Sequence, residues 1–265
     1  MRRIIVCADD AGWSEANDAV IVGHAMNGDI SAVSVLVDGP TAGDWAAAPL
    51  PSECALGLHL NLTWSAEDGS RGLTRLILDA FSGRLNRHSM AELLATQIAR
   101  FERLLSRPPD FVDGHQHVQI LPVVRDTLLN ILEHRYSAGT RPPVRVPYSP
   151  VYRGLKCGLL NSLGAKRLAT DIRALGWPAN RDFAGAYDLT TRQDYRRQMR
   201  TWLSTIQDGG LIMAHPGSNE VREHGPARTA ESEYFGGPHW RNDLEEADIG
   251  LIPFTSESLL GVVTE

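Results

Sequence analysis

The chain has 265 residues, 43% hydrophobic and 22% charged, with a formal net charge of −6. That is globular composition, and one α/β barrel routinely fills this length, so 1–265 is expected to form a single domain. The acidic balance, without a long lysine/arginine block, excludes nucleic acid as an expected partner, and no apolar stretch approaches the roughly 18 residues of a membrane span.

Short apolar runs alternate with helical stretches along the chain. The expected strands are 3–8, 32–37, 55–62, 110–114, 144–146, 183–186, 210–214 and 250–252. They are rich in Ile, Val and Leu, and several lack polar alternation, as strands buried on both faces do. Helices are expected between them, at 15–27 behind Ser14, at 89–105 with a Ser89/Glu92 capping box, and at 123–134, 155–175 and 191–206. Repeated strand-then-helix order predicts a (β/α) barrel-like fold, complete or distorted, with right-handed crossovers. The stretches 66–87, 148–158 and 218–240 read as irregular loops over the C-terminal ends of the strands, where barrel sites form. Arg192, Arg196, Arg197 and Arg200 read as a solvated helix face. Cys7, Cys54 and Cys157 are odd in number and far apart, which predicts no disulfide framework and a reducing, cytoplasmic setting. The opening Met1-Arg2-Arg3 is followed too soon by Asp9 for the apolar core of a signal peptide.

Chemistry-bearing residues gather at the ends of these strands. Asp9 and Asp10 close the first run, in Ala8-Asp9-Asp10-Ala11-Gly12. Adjacent carboxylates repel unless a cation neutralises them or one keeps a proton. His59 lies in Gly57-Leu58-His59-Leu60-Asn61-Leu62-Thr63, and His115 and His117 lie in Asp113-Gly114-His115-Gln116-His117. His215 ends a late strand, in Ala214-His215-Pro216-Gly217. Aspartate plus histidines at strand ends that converge on one barrel mouth is the donor set of a catalytic divalent-metal site. One histidine of the 113–117 cluster is expected to be a ligand. The other would orient a ligand or meet substrate. Arg145 stands between Val144 and Val146, placed to pair Asp9, to contact an oxyanion or to form a structural ion pair. Trp13, Trp64, Tyr148 and Tyr234 lie beside these motifs or in loops, placed to stack on a substrate ring or to anchor loops.

Taken in order, strand-then-Ala8-Asp9-Asp10-Ala11-Gly12, Gly57-Leu58-His59-Leu60-Asn61-Leu62-Thr63, Asp113–Pro122 and Ala214-His215-Pro216-Gly217 resemble the YdjC-like carbohydrate deacetylases over nearly the whole chain. The resemblance implies a (β/α) barrel variant and one divalent metal, magnesium or zinc, held by Asp10, His59 and His115. It also places Asp9 as the catalytic base. Ala11 stands where the family often has an aromatic, and Gln119 where it often has a third histidine. The implied reaction is hydrolysis of an N-acetyl group from a sugar, oligosaccharide or glycoconjugate. His215 would act as acid, Arg145 at the oxyanion or Asp9, and His117, Trp13 and Tyr148 on substrate. A small N-acetylated sugar is the expected partner, and a homo-oligomer stays open. The rival readings are a metal-dependent hydrolase of another amide or a phosphoester, and a non-catalytic sugar-binding protein.

Overall fold

A computed structural model describes residues 1–63, 72–191, 194–219 and 224–261. Trp64 and Arg192 lie outside these described residues. The strands are β1 (Arg2–Ala11), β2 (Ala32–Val35), β3 (Ala55–Leu60), β4 (Val112–Gly114), β5 (Phe183–Ala184), β6 (Leu211–Ala214) and β7 (Ile249–Leu251). All pair in parallel, in the order β4-β3-β2-β1-β6-β5, with β7 joining the start of β1. The sheet curls into a distorted barrel.

The wall expected at 144–146 is reduced to a single bridge between Val144 and Val112. Pro142, Pro143 and Pro147 flank it and withhold ladder donors. Between this segment and β5 the closure is made by a side chain. Asn180 accepts from the Val146 N–H at 2.9 Å and donates back to its carbonyl at 2.8 Å.

The helices are α1 (Glu15–Met26), α2 (Leu73–Phe81), α3 (Arg87–Leu105), α4 (Val124–Arg135), α5 (Leu155–Leu160), α6 (Lys166–Ala174), α7 (Tyr195–Thr205), α8 (Gly225–Phe235), α9 (His239–Glu246) and α10 (Ser256–Gly261). None of the described helices is long and apolar enough to cross a membrane. Ser14 caps α1 by accepting from the Asn17 N–H at 3.3 Å. The predicted capping box at Ser89 is displaced: Asn86 caps α3, accepting from His88 and Ser89 N–H groups at 2.8 and 3.1 Å. The helix expected over 155–175 is broken by Gly164, with φ 138° in a π turn. A Cβ there would stand 2.2 Å from the Ile120 carbonyl oxygen, so glycine lets the two segments meet. Two of the predicted loops hold helices. α2 shows helical spacing in Leu73, Leu76, Ile77 and Ala80, and α8 opens with Pro226 in its first turn, both readable signals.

Alternation along β1 sorts the interior. Ile4, Val6 and Ala8 face the main core beneath the helices, while Ile5 and Cys7 face a second cluster with Phe111, Phe183 and Phe254. Those aromatics close the floor of the barrel. Gly57 makes room for them, since a Cβ on it would lie 2.4 Å from the Phe111 ring. Its neighbour two residues on, His59, points the same way, towards the mouth.

Candidate metal centre and cavity

Strict alternation would send Asp9 inward and Asp10 outward. It fails at this point. Asp10 adopts φ 65°, and the β1–β2 register slips between Ala8 and Ala11. The bulge re-aims one residue, so both carboxylates line the same cavity of about 320 Å³. A non-glycine residue in the left-handed region is strained, and such strain concentrates at working sites. The strand also stops at Gly114. Beyond it the chain enters a short 3-10 segment, His115–Ile120, with Gln116 and His117 left-handed as well, at φ 53° and 60°. Asp113, His115 and His117 therefore do not continue one strand face. His115 and His117 still reach the cavity, by a turn.

Asp10, His59 and His115 bring their donor atoms within 4.8 Å of one another. Asp10 Oδ1 lies 2.9 Å from His115 Nδ1 and 3.4 Å from His59 Nε2. Metal–ligand bonds of about 2.0–2.2 Å set neighbouring donors roughly 3 Å apart, so this spacing fits one cation. The far side of His59 is tied down, with Nδ1 at 2.6 Å from Asp113 Oδ1, which also accepts from Ser34 Oγ at 2.5 Å. Register explains the contact, since His59 and Asp113 are Cα partners on β3 and β4. A carboxylate behind a ligating histidine fixes its tautomer and ring. Burial works against charge on His59, but Asp113 and Asp9 outweigh it and hold its pKa up to about 10. The carboxylates around His59 favour positive charge at that ring.

Arg145 is fully buried and forks onto Asp9, with Nη1 at 2.7 Å from Oδ2 and Nη2 at 2.5 Å from Oδ1. The same guanidinium pairs with Asp113. It does not line the cavity, so of the roles expected for it the structure supports pairing with Asp9 and not oxyanion contact. One cation thus compensates two buried carboxylates. Arg145→Met is expected to destabilise the fold by about 3–5 kcal/mol, read from urea unfolding; a loss under about 1 kcal/mol would show that the pairing is not needed.

His117 and His215 are cavity-lining. Burial, joined by the charge of Arg145, drives the His117 pKa down to about 3. Burial also takes His215 down to about 4, although Asp10 and Asp9 pull the other way. Both rings are neutral near pH 7. Trp13 stands edge-on to His115 at 5.9 Å and beneath Arg228 at 5.3 Å, bracketing the donors instead of lining the cavity. Tyr148 departs from expectation altogether. It lines a separate hollow with Ile172 and Trp177, because Pro147 and Pro150 carry the chain away from the mouth. Tyr234 packs among Tyr195, Phe235 and Trp240 as an anchor.

Sequence reading gave no role to three contributors. Asp113 was legible from inward strand parity with His59. Arg228 and Glu231 were not, because they sit one turn apart on α8, inside a stretch read as loop. Arg228 donates to Asp10 Oδ2 at 2.5 Å. Glu231, fully buried, accepts from the His215 backbone N–H at 2.5 Å, from Tyr195 at 3.3 Å and from Tyr187. It ties together two stretches of cavity wall. Burial pushes its carboxyl up to about 7, from an ordinary 4.5, against those hydrogen bonds. The folded protein therefore holds an extra proton between those values, and stability falls as pH rises through that window, by a total on the order of 3 kcal/mol. Glu231→Gln removes the slope. Its melting temperature relative to wild type is expected to improve between about pH 5 and pH 8. A constant difference would show that Glu231 is ionised throughout.

The chain is 33% identical over 252 residues to a carbohydrate deacetylase of Mus musculus, covering 83% of this chain and 79% of that protein. It is 35% identical over 130 residues to a chitooligosaccharide deacetylase of Klebsiella pneumoniae (strain 342), a match spanning 45% of this chain and 51% of the other. A crystal structure from Enterococcus faecalis V583, assigned provisionally to cellobiose-phosphate cleavage, superposes with a TM-score of 0.72 at 16% identity, over 97% of this chain and 99% of that one. A family 4 acetyl xylan esterase from Clostridium thermocellum, solved with a cobalt ion, gives 0.52 at 12% identity, over 99% and 91%. These two share the fold, a distorted barrel. The family model described as YdjC-like protein matches residues 3–246, and this chain belongs to that family.

Proposed function

We propose that the protein is a metal-dependent hydrolase that removes the acetyl group from an N-acetylated sugar, oligosaccharide or glycoconjugate. The observation that carries this is the cavity floor, where Asp10, His59 and His115 converge beside a separate carboxylate, Asp9. The names of the mouse and Klebsiella relatives supply the substrate class. An acetamide is a poor electrophile with a poor leaving group. A divalent cation at the three donors would polarise its carbonyl and lower the pKa of a water; the two nitrogens and one oxygen favour zinc over magnesium.

The remaining steps fall to the chain's own groups. Asp9, aimed by Arg145, takes a proton from the water that attacks the acyl carbon. The C–N bond then breaks, acetate keeps the new oxygen, and the amine must be protonated as it leaves. His215 lines the same cavity and is held neutral by burial. It serves by relaying to that nitrogen the proton that Asp9 took from the water, so that the ring and the carboxylate both end as they began.

The test is acetate release over a panel of N-acetylated mono- and oligosaccharides, in metal-stripped protein and with zinc, magnesium or cobalt restored. Metal-dependent acetate release is expected. Absence of acetate from every sugar, with turnover of phosphoesters or other amides, would overturn the reading. His215→Ala is expected to slow N-acetyl hydrolysis by about 10²-fold while sparing an activated aryl acetate, whose leaving group needs no proton. Equal losses on both would remove it from proton transfer.

A further inference from the structure

Asp10 is gripped from several sides. Its carbonyl oxygen accepts from the Asn17 side-chain amide at 3.4 Å, its Oδ1 faces the two histidines, and its Oδ2 accepts from Arg228 at 2.5 Å. Arg228 is 2% exposed, and its guanidinium lies over the Trp13 ring at 5.3 Å. Its backbone is anchored too, since the carbonyl of Arg228 accepts from the Gly217 N–H at 3.2 Å. Gly217 has no freedom to be anything else. A Cβ there would stand 2.0 Å from Asn17 Oδ1 and 3.4 Å from the Arg228 Cβ. The glycine of His215-Pro216-Gly217 therefore lets α1 and α8 close on Asp10, Asn17 at its carbonyl and Arg228 at its outer carboxylate oxygen.

We infer that Arg228 is a positioning residue that confines Asp10 to donation through Oδ1 and thereby sets which cation the Asp10–His59–His115 site prefers. This rests on the cation reading above. A free carboxylate can chelate with both oxygens, and large hard ions such as calcium use that mode among six to eight oxygen ligands. Here a guanidinium charge sits at Oδ2, where it takes up one lone pair and repels a chelating cation. The site is left with one oxygen and two imidazoles, a set that suits zinc-type ions and serves calcium poorly. Arginine does this better than lysine. Its planar fork holds one orientation and stacks on the indole, while an ammonium on a flexible stem does neither.

Metal-stripped wild type, Arg228→Met and Arg228→Lys are titrated with zinc and with calcium by calorimetry, alongside circular dichroism and thermal melts. Wild type is expected to bind zinc in strong preference to calcium. Arg228→Met, which keeps the apolar stem, should weaken zinc by about 10–100-fold and narrow the zinc-to-calcium ratio by about tenfold. Arg228→Lys should fall between, with charge restored and the fork lost. A lowered melt with an unchanged ratio would mean structural support only and overturn the inference. Should Arg228→Met fail to fold, a wild-type ratio in Arg228→Lys overturns it equally. If wild type itself binds neither ion, the cation reading fails and this falls with it; wild-type binding with unchanged ratios sinks this inference alone.

Discussion

Asp9→Asn is expected to lower acetate release by about 10²–10⁴-fold, the usual worth of a general base, while retaining its bound cation. The substitution is nearly isosteric and removes a cavity-lining carboxylate that stands outside the three-donor cluster. It also sets an amide against the Arg145 fork that now grips both carboxylate oxygens. Some loss of stability should accompany the kinetic effect, limited because Arg145 keeps Asp113. Steady-state kinetics and metal content on the same sample separate the outcomes. Near-normal kcat would remove Asp9 from the mechanism, and loss of the cation with the turnover would make it a ligand.

His59→Ala and His115→Ala are each expected to lose more cation affinity than the roughly 10–100-fold that removal of an outer partner costs, because each deletes one of three protein donors. The two should differ in a second readout. His59 is the inner histidine, 1% exposed and bonded to Asp113, so its loss strips a buried carboxylate of one partner. His115 lies at the cavity edge, 9% exposed, with Trp13 against it. His59→Ala should therefore melt lower than His115→Ala. Metal content by mass spectrometry checks the first claim, and thermal melts the second. A full equivalent of tightly held cation in both variants would refute the assignment.

Residues close in sequence were legible in proportion to how local their causes are. The strands read correctly where runs of Ile, Val and Leu had no flanking proline, and α1 was readable from Ser14. The break at Gly164 was not, because the reason for that glycine is the Ile120 carbonyl of another segment. Tyr148 was misplaced for a similar cause. Proximity to Arg145 in sequence says nothing about direction once Pro147 intervenes.

What the sequence by itself determined is the alternating β/α order and the set of polar groups at strand ends: Asp9, Asp10, His59, His115 and His215. Periodicity and burial demand are local, and a short stretch of chain carries them. Only the tertiary structure decided how those groups are used. The left-handed turn at Asp10 brings both carboxylates to one face. The β3–β4 register sets Asp113 behind His59, and the closing of α8 delivers Arg228 to Asp10 across 218 positions of chain. Such contacts arise from packing between distant elements, and a pairwise fit of that kind leaves no period or spacing to read.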